Sequence, residues 1–198
     1  MNEEKAISRT ATDAAAALGR LEAELQGNGR KSLPPVELWD PPYCGDIGMA
    51  IARDGTWTYK GSAIRRIALV KLFSTVLRRD DDGCHYLVTP VEKIDVTVED
   101  APFLGVEMEV IDGGRPPAEQ VLVVRTNLED VVRIDGAHAL RFACDSAGGF
   151  KPYVRVRGRL EALFTRALTY ELVDRLATDA DGRSGIWSSG CFFGVEGI

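Results

Sequence analysis

Two glycine-to-arginine corners stand out among the residues that could bind a ligand. TWTYKGSAIRR contains Gly61 and Arg66, and VVRIDGAHALR contains Gly136 and Arg141 at an offset of 75 residues. A glycine permits close approach of the backbone, and an arginine fixed beside it can donate two parallel hydrogen bonds to a carboxylate or phosphate. This repeat predicts a duplicated structure whose two corners could bind an anion. Alternatively, each arginine pairs with an acidic side chain at the surface.

Three more residues of a later strand could extend such a site. Tyr153, Arg155 and Arg157 alternate along KPYVRVR, so their side chains would share one face of the strand and could line an anion-binding groove. Glu107 and Glu109 lie on the polar face of another predicted strand. They could neutralise this row as cross-strand pairs, which is the alternative interpretation.

A short connection between two predicted strands carries a further set of polar side chains. Thr89, Glu92 and Lys93 lie in TPVEK, where two modules of the chain would meet. A hydroxyl beside an acid and a base can orient a polar ligand, and clefts between domains are favoured positions for small-molecule sites. Alternatively, Pro90 kinks the strand and the charged residues are solvated. Trp187 lies in IWSSG, which is typical of a buried anchor or of an adaptable contact loop.

The sequence lacks the patterns of common catalytic and metal sites. It contains no GxxxxGK[ST], no GxGxxG after a strand, no GxSxG and no HExxH. Neighbours in a strand point to opposite faces, so His85 could not activate Cys84. The four cysteines and two histidines have no short spacing that would form a metal site. We therefore expect no catalytic residue, no cofactor and no metal, with an unrecognised enzyme as a less favoured alternative.

Composition and charge limit the partners of the chain. Its 198 residues include 24 basic and 30 acidic side chains, and the net charge of -6 repels a nucleic-acid polymer. No run approaches the roughly 20 apolar residues that span a bilayer, and MNEEKAISRT does not resemble a signal peptide. The composition therefore predicts a cytoplasmic protein that binds neither a membrane nor a nucleic-acid polymer.

Apolar periodicity predicts an α+β protein in three parts. These are a helical arm and linker over 1–31, a first α+β module over 32–90, and a second module with a C-terminal tail over 91–198. In the first module, alternation in DIGMAIA and TWTYK around a turn at Asp54 and Gly55 predicts a hairpin. A helix of about four turns, capped by Ser62 and reaching Leu77, follows it.

The second module is predicted to contain about six short strands and one helix. The strands from LGVEMEV to KPYVRV would form a small antiparallel barrel or a strongly bent sheet. A C-terminal helix that opens at Gly158, with Leu160, Leu163 and Leu168 among its apolar positions, would cap it. Each module therefore combines an antiparallel sheet with a packed helix.

Several long segments closely resemble a bacterial, mainly proteobacterial family that is catalogued only as a domain of unknown function. They are GDIGMAIARDGTWTYKGSAIRR, LVKLF, YLVTPVEKIDVTVEDAPF, TNLEDVV, YVRVRGRLEAL and GIWSSG, and together with the intervening sequence they cover nearly everything after the N-terminal arm. The resemblance implies a two-domain core with a structural duplication. It also implies a C-terminal domain superficially like pleckstrin-homology folds.

The resemblance implies a nucleotide-like ligand bound between the two domains and a part in signal transduction. Together with the two glycine-to-arginine corners and the TPVEK connection, it predicts a non-catalytic sensor or regulatory module that binds a small anionic, nucleotide-like ligand between its modules. No catalytic residue is defined for the family. The matching positions that could line such a cleft are Arg65, Arg66, Thr89, Glu92, Lys93, Asn127, Arg141, Arg157, Trp187 and Ser189. The alternative is a protein-interaction module that uses the tail around Trp187 or an exposed sheet edge as its contact.

Overall fold

The structure, a computed structural model, describes residues 33–195 of the chain. They form a first unit of residues 33–52 and 56–99 and a second unit of residues 53–55 and 100–195. The predicted arm over 1–31 lies outside the described residues. The division after Glu99 differs from the predicted boundary at residue 90, because KIDVTV pairs with strands of the first unit.

The first unit is built on one mixed sheet. In chain order, its described residues form β1 (Tyr43–Ile51), β2 (Trp57–Tyr59), β3 (Ser62–Ala63), α1 (Ile67–Thr75), β4 (Leu77–Arg79), β5 (His85–Val88) and β6 (Lys93–Val98). The strand order across the sheet is β3-β2-β1-β6-β5-β4. β1 and β6 are parallel, and every other pair of neighbours is antiparallel.

The predicted hairpin of the first unit is confirmed. β1 pairs with β2, with Ile51 opposite Trp57, and Gly55 in the turn has a φ of 81°. Met49, Ile51 and Trp57 are buried, as the alternation of DIGMAIA requires for a strand with one face in the core.

The helix of the first unit is shorter than predicted. Ser62 does not cap it, because Ser62 and Ala63 pair with β2 as the edge strand β3. α1 begins after Arg66 and ends at Thr75, and Leu77 already belongs to β4. At the C-terminal end of the predicted helix, Leu77 is therefore buried on a strand, whereas at the N-terminal end the two residues of β3 are exposed.

The second unit contains a second mixed sheet, a helix and a small C-terminal sheet. Its described elements are β7 (Phe103–Ile111), β8 (Val121–Thr126), β9 (Val131–Arg133), β10 (Leu140–Cys144), β11 (Phe150–Arg157), β12 (Leu160–Phe164), α2 (Arg166–Val173), β13 (Ala177–Thr178), β14 (Ser184–Ser188) and β15 (Cys191–Gly194). The larger sheet has the order β10-β11-β12-β7-β8-β9, with β7 and β12 parallel. The smaller sheet has the order β13-β14-β15.

The prediction of a helix from Gly158 onward is wrong over its first half. Gly158, with a φ of 49°, forms a tight turn that returns the chain as β12, which pairs with both β11 and β7. A strand in the middle of a sheet is apolar on both faces, so its sequence is hard to distinguish from a buried helix. α2 begins only at Arg166, where the hydroxyl oxygen of Thr165 accepts a hydrogen bond from the Leu168 N–H. No helix in the described residues is long and apolar enough to cross a membrane.

The two larger sheets have the same topology, which confirms the predicted duplication into two similar modules. In each, the first three strands form a meander that starts in the middle, the last three return to it, and the first and sixth strands pair in parallel. The predicted residue equivalences are wrong. Gly61 lies between the second and third strands of its sheet, whereas Gly136 lies between the third and fourth. Arg66 precedes a helix, whereas Arg141 lies within β10.

Candidate functional site

The ten predicted site residues fall in both units. Those in the first unit are Arg65, Arg66, Thr89, Glu92 and Lys93, and those in the second are Asn127, Arg141, Arg157, Trp187 and Ser189. Most of them stabilise the unit in which they lie, as their hydrogen bonds show.

Lys93 belongs to a network of charges on the sheet of the first unit. Its ammonium donates to Oδ2 of Asp80 at 2.5 Å and lies 3.9 Å from the ring centroid of Tyr86. Arg78 donates to Oδ1 of the same carboxylate at 2.6 Å. Burial by itself would raise the pKa of Asp80, but the hydrogen bonds from Arg78 and Lys93 hold it below its usual value. Lys93 is therefore engaged by the protein itself.

Thr89 and Glu92 form the tight connection between β5 and β6. The Thr89 hydroxyl oxygen accepts hydrogen bonds from the N–H groups of Val91 and Glu92 at 3.2 and 3.0 Å, and the Thr89 N–H donates to the Glu92 carbonyl at 2.9 Å. This is a threonine turn, in which the hydroxyl replaces a backbone acceptor. Because Thr89 is buried, its hydroxyl positions the turn and does not reach solvent.

Arg65 and Arg66 are the predicted residues of the first unit that remain exposed. They lie between β3 and α1, and Arg66 is the N-terminal cap residue of α1. Within residues 33–195, no hydrogen bond or ion pair engages Arg65.

Arg141 makes the local ion pair that the alternative interpretation anticipated. Its Nε and Nη2 donate to the two carboxylate oxygens of Glu161 at 2.9 and 2.8 Å, so both oxygens of the acid are occupied. The guanidinium also lies 4.0 Å from the ring centroid of Tyr153. The hydrogen bonds to Glu161 raise the pKa of Arg141. The two parallel N–H donors of Arg141 that an anion would need are therefore already bound to Glu161.

The predicted row on β11 is interrupted. A bulge lies between Arg155 and Arg157, which turns Arg157 toward Asp130 at 3.2 Å and places its guanidinium 4.9 Å from the ring centroid of Phe103. Glu107 does not neutralise this row, because it accepts a hydrogen bond from Arg125 at 2.7 Å. Arg157 is therefore paired with groups of the second unit itself.

Asn127, Trp187 and Ser189 also hold backbone or neighbouring side chains. The Asn127 side-chain oxygen accepts from the Leu104 N–H at 3.0 Å. Trp187 packs on Phe192 across the β14–β15 hairpin, with the ring centroids 5.0 Å apart. The Ser189 hydroxyl donates to the Ile134 carbonyl at 2.9 Å and accepts from Arg133 at 3.1 Å.

A polar cluster around Asp100 was missed by sequence reasoning. Its carboxylate accepts hydrogen bonds from Lys151 and from the Tyr153 hydroxyl, the latter at 2.8 Å, and Arg53 approaches to 3.7 Å. Burial and the hydrogen bond to Asp100 raise the pKa of Tyr153, which favours the protonated hydroxyl that donates to Asp100. Lys151 and Tyr153 alternate along KPYVRVR, so the sequence placed them on one face of a strand. Nothing in the sequence identified Asp100 as their acidic partner.

Asp100 makes the stability of the protein depend on pH. Burial by itself would raise its pKa, but hydrogen bonds from Lys151 and Tyr153 hold it below the usual value. The unfolded chain then binds the proton more readily, so the contribution of Asp100 is present above the unfolded pKa of about 3.9 and is lost as pH falls through the lower folded pKa. We expect the stability difference between the wild type and Asp100→Asn to shrink below about pH 4.

Urea unfolding from about pH 7 to about pH 2 measures this difference. Glu171→Gln, at an exposed residue of α2, is the control and should leave the acid limb unchanged. A difference between the wild type and Asp100→Asn that stays constant with pH would contradict the assignment.

A groove in the first unit was also missed by sequence reasoning. Its volume is about 340 Å³, and it is lined by Asp46, Gly83, Cys84, His85, Asp95, Val96, Thr97 and Val98. The Tyr43 hydroxyl donates a hydrogen bond to Asp95, which raises the pKa of Tyr43. No three His, Cys, Asp or Glu side chains within residues 33–195 are arranged to hold a metal ion.

The sequence matches the same family in both units. Residues 34–101 match the N-terminal domain of DUF1285, a domain of unknown function. Residues 102–195 match the C-terminal domain of DUF1285, a protein of unknown function. A search of curated proteins finds no match to the chain.

Two solved structures resemble the protein. A DUF1285 family protein from Silicibacter pomeroyi DSS-3 is 45% identical, with 88% of this chain and 93% of that chain covered and a TM-score of 0.78. A DUF1285 family protein from Shewanella baltica OS155 is 29% identical, with 65% of this chain and 91% of that chain covered and a TM-score of 0.50. The resemblance seen in the sequence is thereby confirmed, and the chain belongs to the DUF1285 family, whose function is unknown.

Proposed function

We propose that this protein is a non-catalytic cytoplasmic sensor or regulatory module that binds a small anionic, nucleotide-like ligand at the basic start of α1. Three parts of this proposal come from the family resemblance: the nucleotide-like nature of the ligand, a role in signal transduction, and a likeness of the second unit to pleckstrin-homology folds. Of the predicted anion-binding residues, Arg65 now carries the proposal, because Lys93, Arg141 and Arg157 are engaged by carboxylates.

The charge of the first unit between Thr56 and Arg79 is the observation that supports the proposal. These 24 residues contain no Asp or Glu, although the net charge of the whole chain is -6. Their six basic residues are Lys60, Arg65, Arg66, Lys71, Arg78 and Arg79, of which Arg78 is paired with Asp80. A small anion is attracted to such a local excess of positive charge even when the overall field is negative.

The start of α1 adds backbone donors to this charge. α1 has no acidic residue in its first turn, and no side chain caps its first N–H groups. Such groups lack acceptors within the helix and carry partial positive charge, so they favour an anion. Arg65 is exposed next to them and can supply a charge-assisted hydrogen bond.

The first test is binding of a nucleotide panel, with ATP and inorganic phosphate as probes, followed by thermal shift and calorimetry. A ligand at a hundred times its dissociation constant stabilises the folded protein by about 2.7 kcal/mol. We expect Arg65→Ala to weaken the binding of the best probe about tenfold or more, because one charge-assisted hydrogen bond is lost.

Arg175→Ala is the matched control, since Arg175 is exposed and no hydrogen bond or ion pair engages its side chain within the described residues. It should leave the dissociation constant unchanged. Equal weakening by both variants, or no binding of any probe, would remove the basis of the proposal.

A protein-interaction module is the second candidate, and the end of α2 favours it. Tyr170, Val173 and Leu176 follow one another at intervals of three residues and are all exposed. Large apolar side chains exposed within one short segment are typical of a contact surface. The predicted contact at Trp187 is less suitable, because that ring is half-buried against Phe192.

A further inference from the structure

We propose that the groove of the first unit binds a small organic cation that carries ammonium groups. The residues that line it are different from those at the start of α1, so this site is additional to the proposed anion site. Either kind of binding can fail without the other.

A distortion of β1 borders the groove. Gly45 pairs with Ile94 and Met49 with Val96, so four steps along β1 correspond to two steps along β6. The extra residues bulge out of the ladder, and Gly45 and Gly48 adopt φ values of 87° and 81° there. Asp46 lies in this bulge and on the wall of the groove.

The charge of the lining determines the kind of ligand. Two carboxylates, Asp46 and Asp95, line the groove together with the imidazole of His85 and the hydroxyl of Thr97, and no lysine or arginine belongs to the lining. An ammonium group would therefore find carboxylate acceptors in the lining. Valine side chains complete the wall and suit the aliphatic part of such a ligand.

Both carboxylates keep acceptor capacity. Oδ1 of Asp46 accepts the Gly48 N–H at 2.7 Å, and Oδ2 of Asp95 accepts the Tyr43 hydroxyl. Among the described residues, no hydrogen bond or ion pair uses the second oxygen of either carboxylate. A carboxylate has about four lone-pair positions, so each can accept further donors.

The same sheet already binds one ammonium group in the way proposed for the ligand. Lys93 is held between the carboxylate of Asp80 and the face of Tyr86. The pair formed by Asp95 and Tyr43 offers a second carboxylate beside a second tyrosine, and the Tyr43 ring meets Tyr86 edge to face at 6.5 Å.

Tyr43 does not line the groove, but it is hydrogen-bonded to Asp95, which does. Tyr43 is 62% exposed, so a cation from solvent can approach its ring. Lys93 supplies an ammonium to the pair of Asp80 and Tyr86, whereas no side chain of the groove lining supplies one to the pair of Asp95 and Tyr43. The volume of about 340 Å³ leaves room for an aliphatic amine. A metal ion fits less well, because the described residues offer no group of three metal ligands.

Calorimetric titration with putrescine, an unbranched aliphatic diamine, tests the proposal, and butanediol of the same length is the neutral control. We expect saturable binding of putrescine at one site per chain and no binding of butanediol. Asp95→Asn and Asp46→Asn should each weaken putrescine binding about tenfold or more, because each removes a charged acceptor and keeps the side-chain shape. Circular dichroism of each variant checks that it is folded.

Two further variants separate this site from general charge effects and from the anion site. Glu171→Gln removes an exposed acid of the second unit and should leave putrescine binding unchanged, as should Arg65→Ala. The proposal is wrong if putrescine does not bind, if butanediol binds equally well, or if Glu171→Gln weakens binding as much as Asp95→Asn. It is also wrong if Mg²⁺ binds at the same residues more tightly than putrescine.

Discussion

Replacing Arg78 with alanine is expected to lower the free energy of unfolding of the protein by about 3–5 kcal/mol. Arg78 is only 8% exposed, and its guanidinium donates to the carbonyl oxygens of Val36 and Trp39, both at 2.7 Å, and to Asp80 at 2.6 Å. With alanine at this position, the carbonyl groups of Val36 and Trp39 would lose their hydrogen-bond donor. The half-buried carboxylate of Asp80 would keep Lys93 as its remaining cationic partner. Losing one partner of such a network costs more than the pair contributes, because the others stay desolvated.

The neighbouring arginine provides the matched control for this experiment. Arg79 donates one hydrogen bond, to the Gly83 carbonyl at 3.1 Å, and is more exposed than Arg78. Arg79→Ala should therefore cost about 1 kcal/mol or less in urea unfolding followed by tryptophan fluorescence. Similar costs for the two variants would show that Arg78 does not hold the segment around Val36 and Trp39 in place.

Replacing Phe103 with alanine is expected to lower the free energy of unfolding by about 3–5 kcal/mol as well. Phe103 begins β7 in the middle of the second sheet, is fully buried, and pairs with Ala162 of the parallel strand β12. Alanine would leave a cavity and would also remove the ring beneath the guanidinium of Arg157. Equilibrium urea unfolding measures the loss.

Phe142→Ala is the corresponding control at the edge of the same sheet. Phe142 lies on β10, is half-buried and stacks on Phe150 with ring centroids 5.5 Å apart. Because solvent already reaches this ring, its removal should cost about 1 kcal/mol, in the range of an average substitution. If Phe142→Ala were as costly as Phe103→Ala, burial in the middle of the sheet would not explain the effect.

The failure to predict β12 shows what apolar periodicity leaves undecided. Leu160, Leu163 and Leu168 have helical spacing, yet the first two lie on a strand and the third on α2. β12 is bonded on both sides, so neither of its faces needs polar residues and the period of two disappears. By contrast, β1 has one face in the core, and its alternation was sufficient to predict the hairpin.

The candidate site was hard to predict for a related reason. Arg141 and Arg157 have the residue type and spacing of anion-binding groups, but their partners Glu161 and Asp130 are 20 and 27 residues away in the sequence. The pairing of β10, β11 and β12 brings Glu161 into reach, and the turn between β8 and β9 carries Asp130. The groove of the first unit likewise depends on a bulge in β1 opposite β6, which are far apart along the chain.

The repeated glycine and arginine pattern illustrates what the sequence determined and what only the tertiary structure decided. From local residues and long motifs, the sequence by itself determined the hairpin at Gly55, most strands, the two-module organisation and the family. It could not determine whether Gly61 and Gly136 are structurally equivalent, because identical residues at one offset do not show which strand each of them follows. Only the tertiary structure decided which charges are paired and where a groove opens, since both depend on contacts between strands distant in sequence.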